Sequence, residues 1–237
     1  AASRVVATLN VGTEIAVLKK LGVGRSSVAA RAYPIVVEDN QLFNPSTNYA
    51  EYLVPMVLFF LLHIYATVLW GGTWLEANSS WGTRCGQIVV TGVWCLGLGA
   101  LEWWALPLSQ VTVASAWWLG LAAIAAYLVA QAGFVMVVST ALGKSAFGFQ
   151  VVLFFSMLGL MLSGVTWPTY SFPPALAAVA EWLPFTHLAR LLRMTIHFEA
   201  TPADLASSLR ALAILAAVFG AVGLALEALV QAWSQLR

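Results

Sequence analysis

The stretch from Tyr52 to Gly71, YLVPMVLFFLLHIYATVLWG, carries no Asp, Glu, Lys or Arg. About 20 such residues wound as a helix cross a hydrocarbon core of about 30 Å. Within hydrocarbon the backbone must satisfy its own polar groups, which leaves helices or closed barrels. Four further apolar runs, at about 86–106, 113–141, 147–165 and 209–232, repeat the pattern. The expectation is an all-α membrane protein with five transmembrane helices over residues 51–237. Composition agrees, because 9% of the residues are charged against roughly a quarter in soluble domains. Eleven Lys and Arg nearly balance ten Asp and Glu and are scattered, so no nucleic-acid partner is expected.

Residues 1–50 read differently. RVVATLNVGTEIAVLKKLG has amphipathic helical spacing, YPIVVED reads as a short strand, and Asn44-Pro45 marks a turn. This segment is expected to be the C-terminal part of a small α/β extramembrane domain. Arg84, Lys144 and Arg237 fall on one face of the five-span arrangement, and the uncharged PLSQVT turn on the other. The charge bias of short loops then makes the first three cytoplasmic. Against this stand Arg4, Lys19, Lys20, Arg25, Arg31, Arg190, Arg193 and Arg210, in longer segments that the bias governs weakly. Residues 1–50 are therefore expected outside the cytoplasm and the C-terminus inside.

Few residues point to chemistry. Cys85 and Cys95, ten residues apart on one helix, would lie about 15 Å from each other and read as packing residues. GKS at Gly143 to Ser145 lacks the earlier glycine of a phosphate loop, since Val138 stands there. HExxH, CxxC and GxSxG do not occur, and no catalytic or metal-ligating set is assigned. His63 and Glu102 lie within spans and are candidates for a substrate pathway, with a neutral packed His and an interfacial carboxylate as the bland alternatives. Glu227 is expected to reach the headgroups.

The connection at 166–208 is more informative. Pro168, Pro173 and Pro174 block a continuous helix, and irregular backbone at membrane depth must be buried in protein, line a wet cavity or emerge into water. Beyond it, Thr186, Arg190, Arg193 and His197 recur at helical spacing. The pattern predicts an amphipathic helix at the outer interface, the alternative being the solvated face of an ordinary surface helix.

Two stretches carry a family resemblance. LFNPSTNYAEYLVPMVLFFLL, residues 42–62, resembles the Phe-Asn-Pro, Asn-Tyr and Leu-Val-Pro series before the second span of ABC-2 type exporter permeases. LSGVTWPTYSFPPALAAVAEWLPFTHLARLLRMTIHFEA, residues 162–200, is similar to that family's Ser-Gly, Pro-Pro, Leu-Pro, Thr-His and Arg series before its last span, with Phe172 where a methionine is usual. The resemblance implies a six-span permease with an extracytoplasmic domain after its first span, so the chain is expected to be a piece or a shortened relative. It also implies a bacterial inner membrane, a second permease as partner, and cytoplasmic ABC ATPase subunits that hydrolyse ATP on separate chains. The permease itself then needs no cofactor and is not an enzyme. Its cargo would be hydrophobic or amphipathic, such as a drug, a lipid or a lipid-linked glycan, which includes multidrug efflux. Trp74, Glu76 and Arg84 are then expected to contact the ATPase, and Pro168, Pro173, Pro174, Thr186, His187 and Arg190 to shape a re-entrant outer gate. The loop around Glu76 lacks the family's Arg-Glu-rich coupling segment. A membrane-embedded enzyme acting on a lipid-like substrate and a non-transporting accessory subunit are the alternatives.

Overall fold

A computed structural model describes residues 49–75, 80–109, 111–142 and 145–235, together with Val17 and Lys20. The chain divides between Pro45 and Ser46 into two compact units, and the description concerns the second. The α/β character expected of residues 1–50 lies outside the described residues, as do Glu76 and Lys144. Among the described residues every regular element is helical.

Helix α1, Tyr49–Leu75, starts earlier than its apolar run, so Pro55 lies inside it and not in its opening turn. One seam of α1 is buried, through Met56, Phe59, Leu62, Ala66, Trp70 and Trp74, at the three- and four-residue spacing of a packed helical face. Helix α2, Trp81–Ala105, begins at Ser80, whose hydroxyl accepts from the Thr83 amide at 3.2 Å and so satisfies one of the orphan donors of the first turn. A 3-10 turn, Leu106–Ser109, follows, where Pro107 cannot continue the α-helical ladder. Helix α3, Trp117–Ala141, is apolar around its whole circumference, as a central helix must be. It packs against α1, α2 and all three later helices of the bundle core: α4, Ala146–Leu162; α6, Pro184–His197; and α7, Pro202–Gln235. Small residues bring α3 and α7 together. A Cβ on Gly133 would stand 3.1 Å from that of Phe219 and 3.3 Å from the Gly220 nitrogen.

Among the described residues four helices are long and apolar enough to cross a membrane: Tyr52–Trp74, Trp81–Ser109, Trp117–Ala141 and Pro202–Trp233. The fourth expected span is the shorter α4, of 17 residues. It nevertheless runs from one end of the bundle to the other. It starts just after α3 ends, and just beyond its last turn the Gly164 and Val165 carbonyls meet the Tyr52 hydroxyl at the start of α1. Helix α7, at 34 residues, is about 51 Å long and outreaches a hydrocarbon core of about 30 Å. Its extra length is the polar first turns, where the Asp204 carboxylate accepts from the Thr201 amide at 2.8 Å and from its hydroxyl at 2.6 Å, which satisfies a backbone donor at the helix start.

The segment expected to be irregular is mostly helical. A 3-10 turn, Thr169–Ser171, leads into helix α5, Pro174–Glu181, and then α6. Pro174 and Pro184 each occupy the first helical turn, where the missing N–H has no intrahelical partner to lose. The prolines therefore start helices as well as stopping them.

Candidate functional site

Polar side chains gather at three levels of the bundle. At the Tyr52 end, α4 terminates on Gly164, whose φ of 80° is the left-handed conformation that glycine adopts without a Cβ clash. The Arg193 guanidinium donates to the Gly164 carbonyl at 2.8 Å and the Ser163 carbonyl at 3.0 Å, satisfying groups that the helix end leaves open. Tyr52 donates to the Val165 carbonyl at 2.7 Å. The connection after α2 is stitched to the end of α6, through Ala114 to the Ile196 carbonyl at 3.0 Å and Ser115 to the Thr195 carbonyl at 3.1 Å. The Ser115 hydroxyl also donates to Phe198 and accepts from the Ala200 amide.

Helices α5 and α6 are clasped by Arg190, which donates to Glu181 at 2.7 Å. The His187 Nε2 lies 2.9 Å from the Glu181 carbonyl and 3.7 Å from its carboxylate. The hydrogen bond from Arg190 is the main reason the Glu181 carboxyl is held below its ordinary range; burial opposes it, and the Arg190 and His187 charges add to it. A depressed carboxylate stabilises the fold above its unfolded pKa, about 4.3 for Glu, and that contribution is lost as pH falls through the folded value. The protection factors of the α5 amides, which remove the intrinsic pH dependence of exchange, are therefore expected to be constant from about pH 7 to 5 and to fall below about pH 4. Glu181→Gln is expected to exchange fast throughout.

In the middle of the bundle, His63 Nδ1 shares a hydrogen bond with the Tyr127 hydroxyl, and its ring packs 4.9 Å from that of Phe185. Below it Gln131 donates to the Thr67 hydroxyl at 2.9 Å, and Thr67 donates to the His63 carbonyl at 2.7 Å. These groups are buried, so each depends on its partner. Tyr127→Phe is expected to lower stability by about 1–3 kcal/mol, read from the thermal unfolding midpoint in detergent. An unchanged midpoint would mean that the pair contributes nothing.

At the opposite end, Arg84 in the first turn of α2 donates to Glu227 on α7 at 2.7 Å. The second Glu227 oxygen accepts from Thr140, at the end of α3, at 3.2 Å. The guanidinium lies 5.4 Å from the Trp74 ring centre. Arg84 is 4%, Glu227 2% and Trp74 1% exposed, which places all three inside the bundle. One cluster thus ties the ends of α1, α2, α3 and α7.

These positions correct several sequence expectations. Glu227 reaches Arg84 and not the headgroups. Trp74 and Arg84 stand at helix ends with their side chains buried, and Glu76 lies outside the described residues. The polar stripe of α6 is solvated only in part: Thr186 and His187 are almost wholly buried, Arg193 serves the α4 carbonyls, and Arg190 is partly exposed in its pair with Glu181. Pro168, Pro173 and Pro174 are exposed and do line the same end as Arg190 and His187. His63 and Glu102 are not brought together: Glu102 edges a groove with Leu61, Tyr65 and Leu98, away from the His63–Tyr127 pair. Among the described residues no group of three His, Cys, Asp or Glu could hold a metal.

Sequence reasoning did not single out Tyr127, Gln131, Glu181 or Tyr52 as polar partners. Glu181 alone had a local signal, standing nine residues before Arg190 across the Leu-Pro break.

Comparison with curated proteins returned no match, and neither did comparison with solved structures. The sequence profile described as ABC-2 family transporter protein matches residues 82–225, which runs from the first turn of α2 to two residues before Glu227. It covers α3, α4, the clasped α5–α6 pair and most of α7, and therefore more than half of the chain. The residues that close the Tyr52 end, apart from Tyr52 itself, and Tyr127 and Gln131 of the mid-bundle network fall inside the match, and the chain belongs to the ABC-2 family of transporter proteins as an integral membrane permease domain.

Proposed function

We propose that this permease exports a hydrophobic or amphipathic molecule from the cytoplasm, powered by ABC ATPase subunits on separate chains, and that it works as a pair with a second permease. The observation that carries this reading is the α5–α6 segment folded across the Tyr52 end, where it closes the bundle through contacts that can be exchanged without unfolding a span. The Glu181–Arg190 pair is half exposed on both sides, and exposed pairs of this kind hold by about 1 kcal/mol or less. That pair can exchange at small cost, so α5 can part from α6 while α6 stays packed in the core through Phe185, Leu188, Leu191 and Leu192. Pro168, Pro173, Pro174, Thr186, His187 and Arg190 form this outer gate. Alternation between closed and open packings would be driven by whatever difference in contacts the ATPase makes with each.

The Tyr52 end is taken as extracytoplasmic. Arg84 is neutralised by Glu227, so the charge bias rests on Lys144 and Arg237. ATPase engagement falls to the short connection that holds Glu76, between the end of α1 and Ser80. Trp74 and Arg84 transmit it through the Glu227 cluster to α7. His63, with its buried neighbours, marks the midpoint of a pathway between α1, α3 and α6, while Glu102 lies outside that line.

Membrane vesicles containing the permease and its ATPase test the proposal directly. Expected are ATP-dependent accumulation of a lipophilic dye and its loss on replacing residues 76–79 with glycine and serine. A cysteine placed at Tyr170, which is 90% exposed, in a Cys85→Ala, Cys95→Ala background should react with an impermeant maleimide on intact cells. Labelling only after lysis would reverse the orientation and the export direction with it.

A further inference from the structure

The Tyr52 end holds a cavity of about 440 Å³ lined by Tyr52, Thr166, Trp167, Thr169, Tyr170 and Arg193 among others. Its depth is fixed by Tyr52, the first residue of the apolar window of α1, which puts it at headgroup level. Trp167 and Tyr170 are 63% and 90% exposed and stand at the rim, as interfacial aromatics do.

Among the described residues no carboxylate balances the charge on the cavity wall. Arg193 gives two N–H groups to the carbonyls that end α4 and contacts Tyr52. A guanidinium has five N–H donors, so part of the fork is unused. The C-terminal dipole of α4 offsets about half an elementary charge. The ion pairs among the described residues join Arg84 to Glu227 and Arg190 and His187 to Glu181, and none gives Arg193 a carboxylate. Burial, first, and the neighbouring Arg190 charge disfavour its cationic form, while Tyr52 supports it. An anion in the cavity would relieve both unfavourable effects.

We propose that this cavity binds a phosphate group, with the Arg193 N–H groups that neither the two carbonyls nor Tyr52 takes directed to its oxygens and the Thr169 hydroxyl beside it; the Thr166 hydroxyl donates to the Met161 carbonyl. A planar fork matches phosphate geometry, and the aromatic rim suits the apolar remainder of an amphipathic molecule. The site requires only that the Tyr52 end reach the headgroup layer and stands whether or not the direction of transport is export.

The test is thermal unfolding of the purified full chain in neutral detergent with four additives: phosphatidylglycerol, phosphatidylcholine, diacylglycerol and inorganic phosphate. Both phosphate-bearing lipids are expected to raise the midpoint and diacylglycerol to leave it unchanged. A rise with inorganic phosphate that lipid does not exceed would identify the ligand as a free phosphate group and not a headgroup. Arg193→Lys keeps the charge without the fork and should weaken the phosphatidylglycerol effect about tenfold in apparent affinity. Thr169→Glu, or Thr166→Glu should the first not fold, puts a carboxylate into the cavity while leaving Arg193 on its carbonyls, and should abolish the effect. Equal stabilisation by diacylglycerol, or a full phosphatidylglycerol effect in both glutamate variants, would overturn the proposal.

Discussion

Glu227→Leu is expected to lower the stability of the membrane domain by about 3–5 kcal/mol, the largest effect of any single substitution considered. The carboxylate bonds Arg84 at 2.7 Å and Thr140 at 3.2 Å in an interior where both ionised groups are almost fully shielded. Removing it takes away the carboxylate 2.7 Å from a guanidinium buried against Trp74, and that loss of charge compensation, more than the lost bond, sets the cost. Arg84→Met should cost a comparable amount for the mirror-image reason. The double variant Arg84→Met, Glu227→Leu should recover much of the loss, because a buried pair replaced by well-packed apolar residues is often close to neutral. Unfolding midpoints of the four proteins in one detergent give the coupling. Additive losses in the double variant would show that the two side chains do not act as a pair. The double variant also separates stability from function: if the cluster transmits ATPase engagement to α7, it should fold well and transport poorly.

The places of four long apolar helices were legible because a bilayer imposes a length and an unbroken apolar run, both local properties of a sequence, whereas the fifth expected span forms the 17-residue α4, short of that length. Their ends were not. Ser80 to Arg84 and Pro202 to Arg210 are polar and yet helical, since Ser80 and Asp204 cap them and Arg84 finds a partner 143 positions away. A lone charge near the end of a span looks the same in sequence whether it snorkels or pairs. The Thr186–Arg190–Arg193–His197 stripe was legible as an angle on a helix, but spacing names no partner. The carbonyls of Ser163 and Gly164 hold Arg193 against the end of α4, and the carboxylate of Glu181 holds Arg190 at the surface. His63 was likewise visible as an ionisable residue in a span, whereas Tyr127, its partner on α3, is one aromatic among many until the helices are packed.

Gly164→Ala is expected to lower stability by about 1–3 kcal/mol, since φ is 80° there and a Cβ in the left-handed region meets its own backbone. A second penalty is steric, because that Cβ would stand 2.8 Å from the Thr169 Cγ2 and 3.3 Å from each terminal nitrogen of Arg193. Thr169 sits in an exposed 3-10 turn and can be cut back, whereas Arg193 is held by the carbonyls it serves. Thr169→Ala in the Gly164→Ala background should therefore return only the steric share, leaving the cost of the backbone conformation. Gly164→Val should be worse by about 1 kcal/mol or more, as a second branch enters the same space. The consequence extends beyond stability. If the turn relaxes to negative φ, the Ser163 and Gly164 carbonyls no longer converge on Arg193, and the α4–α6 contact that seats the gate is lost. Faster hydrogen exchange in α6 of Gly164→Ala, with α3 unchanged, is the expected pattern. Uniform acceleration through both helices would instead mean that the turn supports the whole bundle and not the gate alone.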